Sequence, residues 1–247
     1  TLLSAKRFNS LRDILTTINP ADLAILFDRL PKDKIALIFR LLPKELAAET
    51  FVEMDNDLQE MLIRGFSDNE LKDIVDELYL DDTVDIVEEM PANVVKRILS
   101  QAAPETRAMI NEMLKYPEDS AGSIMTAEYI GLKRNMTVEQ AFAYIRENGV
   151  DKETIYTCFV TDSKRCLQGV VTVKDLLMNP YDTVIKDIMD ENIIYAVTTE
   201  DREDVVETFN KYDLLCLPVV DHEDRLVGIV TVDDVMNVIR DEATEDI

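Results

Sequence analysis

The chain has 247 residues, 47 % of them apolar, with 26 basic against 50 acidic side chains and a net charge of −24. That length and apolar content allow two or three domains with real cores and exclude wholesale disorder. The charge excludes a nucleic-acid partner and docking on anionic lipid, both of which need a basic footprint, and favours cations or basic partners.

Residues 1–115 read as short helices in series. NPADLAILFDRLP, KDKIALIFRLLP and KELAAETFVEM come first; DNELKDIVDEL, DDTVDIVEEMP, ANVVKRILSQAA and PETRAMINEML come after them. Each places apolar residues at i, i+3, i+4 and i+7. Asp, Asn or Pro opens many of them, and Pro31, Pro43, Pro91 and Pro104 mark boundaries. Helices this short are marginal alone and must stack on neighbours, so a helical solenoid or compact superhelix is expected.

The pattern changes near YPEDSAGS (116–123), after which Val- and Thr-rich runs alternate with helical ones. CFVTDSKRCLQGVVTVKDLL (158–177) aligns with LPVVDHEDRLVGIVTVDDVM (217–236) at a shift of 59. Gly169 meets Gly228, Thr172 meets Thr231 and Asp175 meets Asp234. SIMTAEYI (123–130) recurs as DIMDENII (187–194), shifted by 64. The five-residue difference falls between helix and strand, where loops absorb insertions. Each copy reads as strand, helix, strand, strand, helix, and the two are expected to pack as a pseudo-symmetric pair.

The repeated GVVTVKD and GIVTVDD, with IMT…TVEQAFAYI and LPVVD, resemble a tandem pair of CBS domains over residues 123–247. The whole chain, with a helical region, YPEDSAGSIMT and an ending in DEATEDI, resembles the cytosolic part of MgtE-type magnesium transporters. The fold class expected is multi-domain, α plus α/β: an all-α superhelix over 1–122, a first CBS domain over 123–183 and a second over 184–247. The resemblance implies a homodimer at the cytoplasmic face of the membrane, joined to a transmembrane pore domain of the same chain. It implies gating by Mg²⁺ bound between the helical domain and the CBS pair, which holds the pore shut.

The residues YLDDTVDIVEEM (79–90) hold five acids and no base. At 100° per residue, Asp81, Asp82, Asp85, Glu88 and Glu89 share one face, and Leu80, Val84, Ile86, Val87 and Met90 the other. An ordinary solvated face mixes signs, so a diffusible cation is the expected partner. By family motif, Asp81 and Asp85 match Mg²⁺ ligands of the helical domain, with Glu49 a further match. Asp213 and Asp234 match ligands of the second CBS copy, Asp201 and Glu203 match less closely, and Glu242, Glu245 and Asp246 match acids near the connecting helix. Where some members place an acid three residues after Asp234, this chain has Asn237, an amide oxygen without charge.

Two other readings stay open. CBS pairs often bind adenine nucleotides such as ATP, and Thr172, Asp175, Thr231 and Asp234 are the candidate contacts; a helix cap accounts for the same residues. The helical region is alternatively a passive scaffold for a partner. No catalytic residue is expected: there is one histidine, and no GxxxxGK[ST], GxGxxG or GxSxG. No DxDxDG calcium loop occurs. Cys158, Cys166 and Cys216 lack CxxC spacing, which disfavours zinc and suits a reducing compartment. No apolar run approaches the roughly 20 residues that cross a bilayer, and no signal peptide is seen. Without an initial methionine the chain reads as a fragment.

Overall fold

The computed structural model describes residues 7–150 and 152–245, with the side chains of 241–245 outside the description. Two compact units are present, residues 1–111 and 112–247.

The first unit is helical: α1 (Phe8–Leu15), α2 (Pro20–Asp28), α3 (Lys32–Phe39), α4 (Lys44–Val52), α5 (Asn56–Gly65), α6 (Asp68–Val75), α7 (Leu80–Glu89), α8 (Ala92–Gln101) and α9 (Pro104–Met113), whose end passes into the second unit. Two helices exceed the seven read from sequence, α1 and α5. Asn19 accepts from the Ala21 amide at 3.1 Å with Pro20 opening α2, Asp55 caps α5 through the Leu58 amide at 2.7 Å, and Ser67 with Glu70 forms a reciprocal capping box on α6. Pro31, Pro43 and Pro91 occupy N-cap positions. Alternate helices stack, α2 on α4, α4 on α6 and α6 on α8, as a solenoid requires.

Phe39 is the centre of this core. Its ring lies 5.9 Å from Phe27, 6.3 Å from Phe51 and 5.5 Å from Phe66. Two arginines staple the α5–α6 turn. Arg40 donates to Gly65 O at 3.2 Å and pairs with Glu70 at 2.5 Å; Arg97 donates to Ile63 O, to Phe66 O and to Asp68 at 3.1 Å. These donors satisfy carbonyls that a helix end leaves without partners. The Arg40 guanidinium holds the Glu70 carboxyl down at about 2.

The second unit contains the repeat. Its first copy comprises β1 (Ile130–Lys133), α10 (Val138–Asn148), β2 (Thr157–Thr161), β3 (Leu167–Thr172) and α11 (Val173–Met178). After a 3-10 turn at Ile185–Asp187 come β4 (Ala196–Val197), α12 (Arg202–Tyr212), β5 (Cys216–Val220), β6 (Leu226–Thr231) and α13 (Val232–Glu245). The expected order of strand, helix, strand, strand, helix is present in both. Each copy forms a three-stranded sheet, β1-β2-β3 and β4-β5-β6, with a parallel then an antiparallel pairing. Both carry a register shift at the same place, Val160/Thr161 and Val219/Val220.

The leader of each copy lies on the other copy. Thr126 bridges to Ile229 on β6, and Asp190 bridges to Val170 on β3. The motif glycines exist for this approach. A Cβ on Gly228 would sit 2.6 Å from Met125 Sδ and 2.7 Å from Thr126 O; one on Gly169 would sit 2.8 Å from Met189 Sδ and 3.2 Å from Asp190 O. Between the copies lie Phe159, Cys216, Leu226 and Ile229, with Tyr129 edge-on to Phe159. Arg165 of the first copy donates to Leu226 O of the second at 3.2 Å.

Candidate cation and nucleotide sites

On α7 the acids do not line one solvent face. Asp81 is buried, Asp82 is half-buried, and Asp85, Glu88 and Glu89 are exposed. Helical rotation carries the first turn toward the core along with Leu80 and Thr83. The acids are also not bare: Glu89 accepts from Asn56 Nδ2 at 3.2 Å, and Asp81, Asp82, Asp85 and Glu88 each take part in an interaction. The expectation of a partnerless row is corrected: for Glu89 the contact comes from Asn56 on α5, 33 positions away, which a twelve-residue stretch cannot show. Glu49 is exposed on α4.

In the second unit, α12 separates two candidate groups. Asp201 is its N-cap, accepting from the Glu203 amide at 2.9 Å, and Glu203 is in its first turn. Asp213 is its C-cap at φ 51°, a left-handed conformation that Asp tolerates better than most residues. Eleven helical residues span about 16 Å, so Asp201 and Asp213 serve different ends.

Asp213 and Asp234 share one end of the second sheet. Val232 N donates to Leu215 O at 3.1 Å, and Cys216 stands opposite Thr231 in the ladder. Further carboxylates gather there. The Cys216 thiol is pushed up, by burial above all and then by Asp234, Glu153 and Asp233. Glu153 N donates to Glu128 O at 2.9 Å, and the two side chains bring carboxylate oxygens within 4.8 Å of each other. Glu128, Glu153 and Asp233 are absent from the sequence-derived set. The signal for Glu128 is its place two residues after Thr126, which pairs with β6; only the reciprocal leader packing brings it to the second copy. The ligand set at this end is all oxygen and anionic, which fits a hard divalent cation. Glu242, Glu245 and Asp246 lie outside the described side chains.

The four candidate nucleotide contacts are engaged at helix starts. Thr172 N and Oγ1 meet Asp175 Oδ2 at 2.9 and 2.5 Å while Asp175 N donates back to Thr172 Oγ1 at 3.1 Å. Thr231 N and Oγ1 meet Asp234 Oδ2 at 2.8 and 2.7 Å, and Thr231 Oγ1 also reaches Asp233 Oδ1 at 2.6 Å. Where the second copy has Asp233 the first has the exposed Lys174.

The family described as MgtE intracellular N domain matches residues 18–119, and the CBS domain family matches 121–181 and 185–241. A crystal structure of the cytosolic domain of the Mg²⁺ channel MgtE in complex with ATP superposes with a TM-score of 0.91, at 37 % identity over 96 % of both chains. The chain belongs to the MgtE family. The soluble part of a magnesium transporter matches with a TM-score of 0.90, at 31 % identity over 98 % of this chain and 95 % of that one. The magnesium transporter MgtE of Thermus thermophilus is 39 % identical over 96 % of this chain and 54 % of its own length. That of Bacillus subtilis is 27 % identical over 99 % of this chain and again 54 % of its own. The chain thus spans about half the length of these MgtE relatives. Among the described residues no helix is long and apolar enough to cross a membrane.

Proposed function

We propose that the chain is the intracellular Mg²⁺-sensing portion of a magnesium transporter, built as a helical domain (1–122) and two CBS domains (123–183, 184–247). It acts as a homodimer at the cytoplasmic face of the membrane, joined to a transmembrane pore domain of the same chain, and it carries no catalytic function. Ions held by acids of both regions favour a compact closed state. The observation that carries this reading is the 37 % identity to the MgtE cytosolic domain across 96 % of both chains.

The carboxylates supply the physics. Two of them about 5 Å apart repel by roughly 3 kcal/mol at an effective dielectric near 20, and a divalent ion reverses the sign. One site at tenfold excess over its Kd shifts the closed state by about 1.4 kcal/mol, whereas a full 1:99 to 99:1 switch needs about 5.5. Roughly four weak sites suffice, drawn from Glu49, Asp81, Asp85, Asp201, Glu203, Asp213, Asp234, Glu242, Glu245 and Asp246, with Glu128 and Glu153 added. Small-angle scattering tests this. The radius of gyration falls across millimolar Mg²⁺ in the native chain and stays constant in Asp81→Asn/Asp85→Asn. A native radius indifferent to Mg²⁺ refutes the proposal.

We propose ATP as a second ligand, held by the first copy. Lys174 beside the Thr172–Asp175 box offers a cation to a polyphosphate, whereas Asp233 beside Thr231–Asp234 repels one. Calorimetric titration with ATP, with and without Mg²⁺, separates the two ligands.

A further inference from the structure

We infer that Asp119–Gly122 is a strap that couples the exit of α9 to the second CBS copy, so that this copy, and not the one next in sequence, governs that exit. The shift of 64 that relates the leaders extends upstream to this segment. In the first leader Ala121 N donates to Glu200 O at 2.7 Å, Gly122 N to Thr198 O at 3.0 Å, and Asp119 O accepts from Arg202 N at 3.1 Å. In the second leader Ile185 N donates to Met136 O at 2.9 Å, Lys186 N to Arg134 O at 3.0 Å, and Thr183 O accepts from Val138 N at 2.9 Å. A step of 64 takes Asp119, Ala121 and Gly122 to Thr183, Ile185 and Lys186. The same step takes their opposites, Arg134, Met136 and Val138, to Thr198, Glu200 and Arg202, so the copies are exchanged. Each leader is therefore held at the helix N-terminus of the opposite copy as well as at its glycine.

The first leader has fastenings that the second lacks. Arg202 Nη2 pairs with Asp119 Oδ1 at 3.3 Å, where the second leader has Val138 and Thr183. The Tyr116 ring lies on Gly122 so closely that a Cβ there would stand 2.6 Å from Tyr116 Cγ and 2.8 Å from Thr198 O. Tyr116 N in turn donates to Met113 O at the end of α9. Ser120, Ala121 and Ser123 are buried, and Ser123 Oγ donates to Glu118 O at 2.6 Å, closing the turn on itself. The second leader connects only one CBS copy to the next; the first receives a helix. A connector that is hydrogen-bonded and ion-paired, with residues 120–123 buried, transmits displacement, whereas a solvated linker absorbs it.

Amide hydrogen exchange on the 247-residue chain tests the strap. The Ala121, Gly122 and Arg202 amides are expected to be protected, and Gly122→Val to speed them about 100-fold while the β2–β3 ladder changes by less than about twofold. Arg202→Gln is the milder variant, with about tenfold at the same amides. The decisive pair places equivalent lesions in the two copies: Val235→Ala in the second and Leu176→Ala in the first, both buried. Val235→Ala speeds exchange of the Tyr116 amide, and Leu176→Ala leaves it unchanged. Unprotected strap amides in the native chain, or equal responses of Tyr116 to the two lesions, overturn the inference. No ion enters this test. A Tyr116 amide that tracks the second copy while scattering ignores Mg²⁺ would reject Mg²⁺ sensing and keep the strap.

Discussion

The two CBS copies share a backbone and differ in what that backbone can hold. β1 pairs four residues with β2, from Ile130↔Cys158 to Lys133↔Thr161, whereas β4 pairs only two with β5. Pro218 stands in β5 where Phe159 stands in β2, and it has no N–H to lend a longer ladder. The closing helices differ too: α11 has 6 residues, with Asn179 Nδ2 donating to Asp175 O at its end, and α13 has 14. At the opening of these helices the first copy offers Lys174 and the second Asp233. Duplication thus conserved the glycine approach and the Thr–Asp caps, which the fold needs. Exposed positions then separated the copies into a more cationic and a more anionic end.

The largest effect that tests this comparison is at the glycines. Gly228→Val should cost about 3 kcal/mol and Gly169→Val about 2, because the first meets a backbone carbonyl at 2.7 Å and the second at 3.2 Å. Urea midpoints measure both, and equal losses would show that the two leaders are held alike. Next is the charge exchange. Lys174→Asp should weaken ATP binding about tenfold, or about 1.4 kcal/mol, and Asp233→Lys should leave it within a factor of about two. An unchanged Kd for Lys174→Asp removes the nucleotide from the first copy.

Removing the caps comes third. Thr172→Ala and Thr231→Ala should each cost about 1 kcal/mol, with Ser restoring most of it. Thr231 should cost the more, since its hydroxyl also meets Asp233. The smallest effect is on thiol labelling at a pH of about 8. Burial pushes the Cys158 thiol up to about 12, and Cys216 is raised as well, so neither forms thiolate at that pH. Half-buried Cys166 alone should react in the native chain, and rapid labelling of Cys216 would show that the seam between the copies opens.

Much of this architecture was legible as pattern. The apolar period and the Asn, Asp and Pro starts located seven of the helices, and the shifts of 59 and 64 exposed the repeat. The helix α5 escaped because its inward face includes Gln59, a polar residue buried by donating to Phe51 O at 2.9 Å. The acids of α7 were legible as a cluster, but not the burial of Asp81 or the contact that Asn56 on α5 makes to Glu89. Asp213 and Asp234 could be named from motifs, whereas Glu128 and Glu153 could not, because neither lies in a periodic segment.

Local order in this protein comes from local chemistry: a Thr or Ser caps the helix it precedes, a Pro stops the helix before it, and a repeated segment repeats its strands. Sequence therefore determined the elements and the family. Which copy receives which leader, which glycine faces which methionine, and which carboxylates share an end are relations between residues some 20 to 100 positions apart. Only the packed chain decides them, since they rest on close approach of buried backbone, and no periodicity along the chain encodes that.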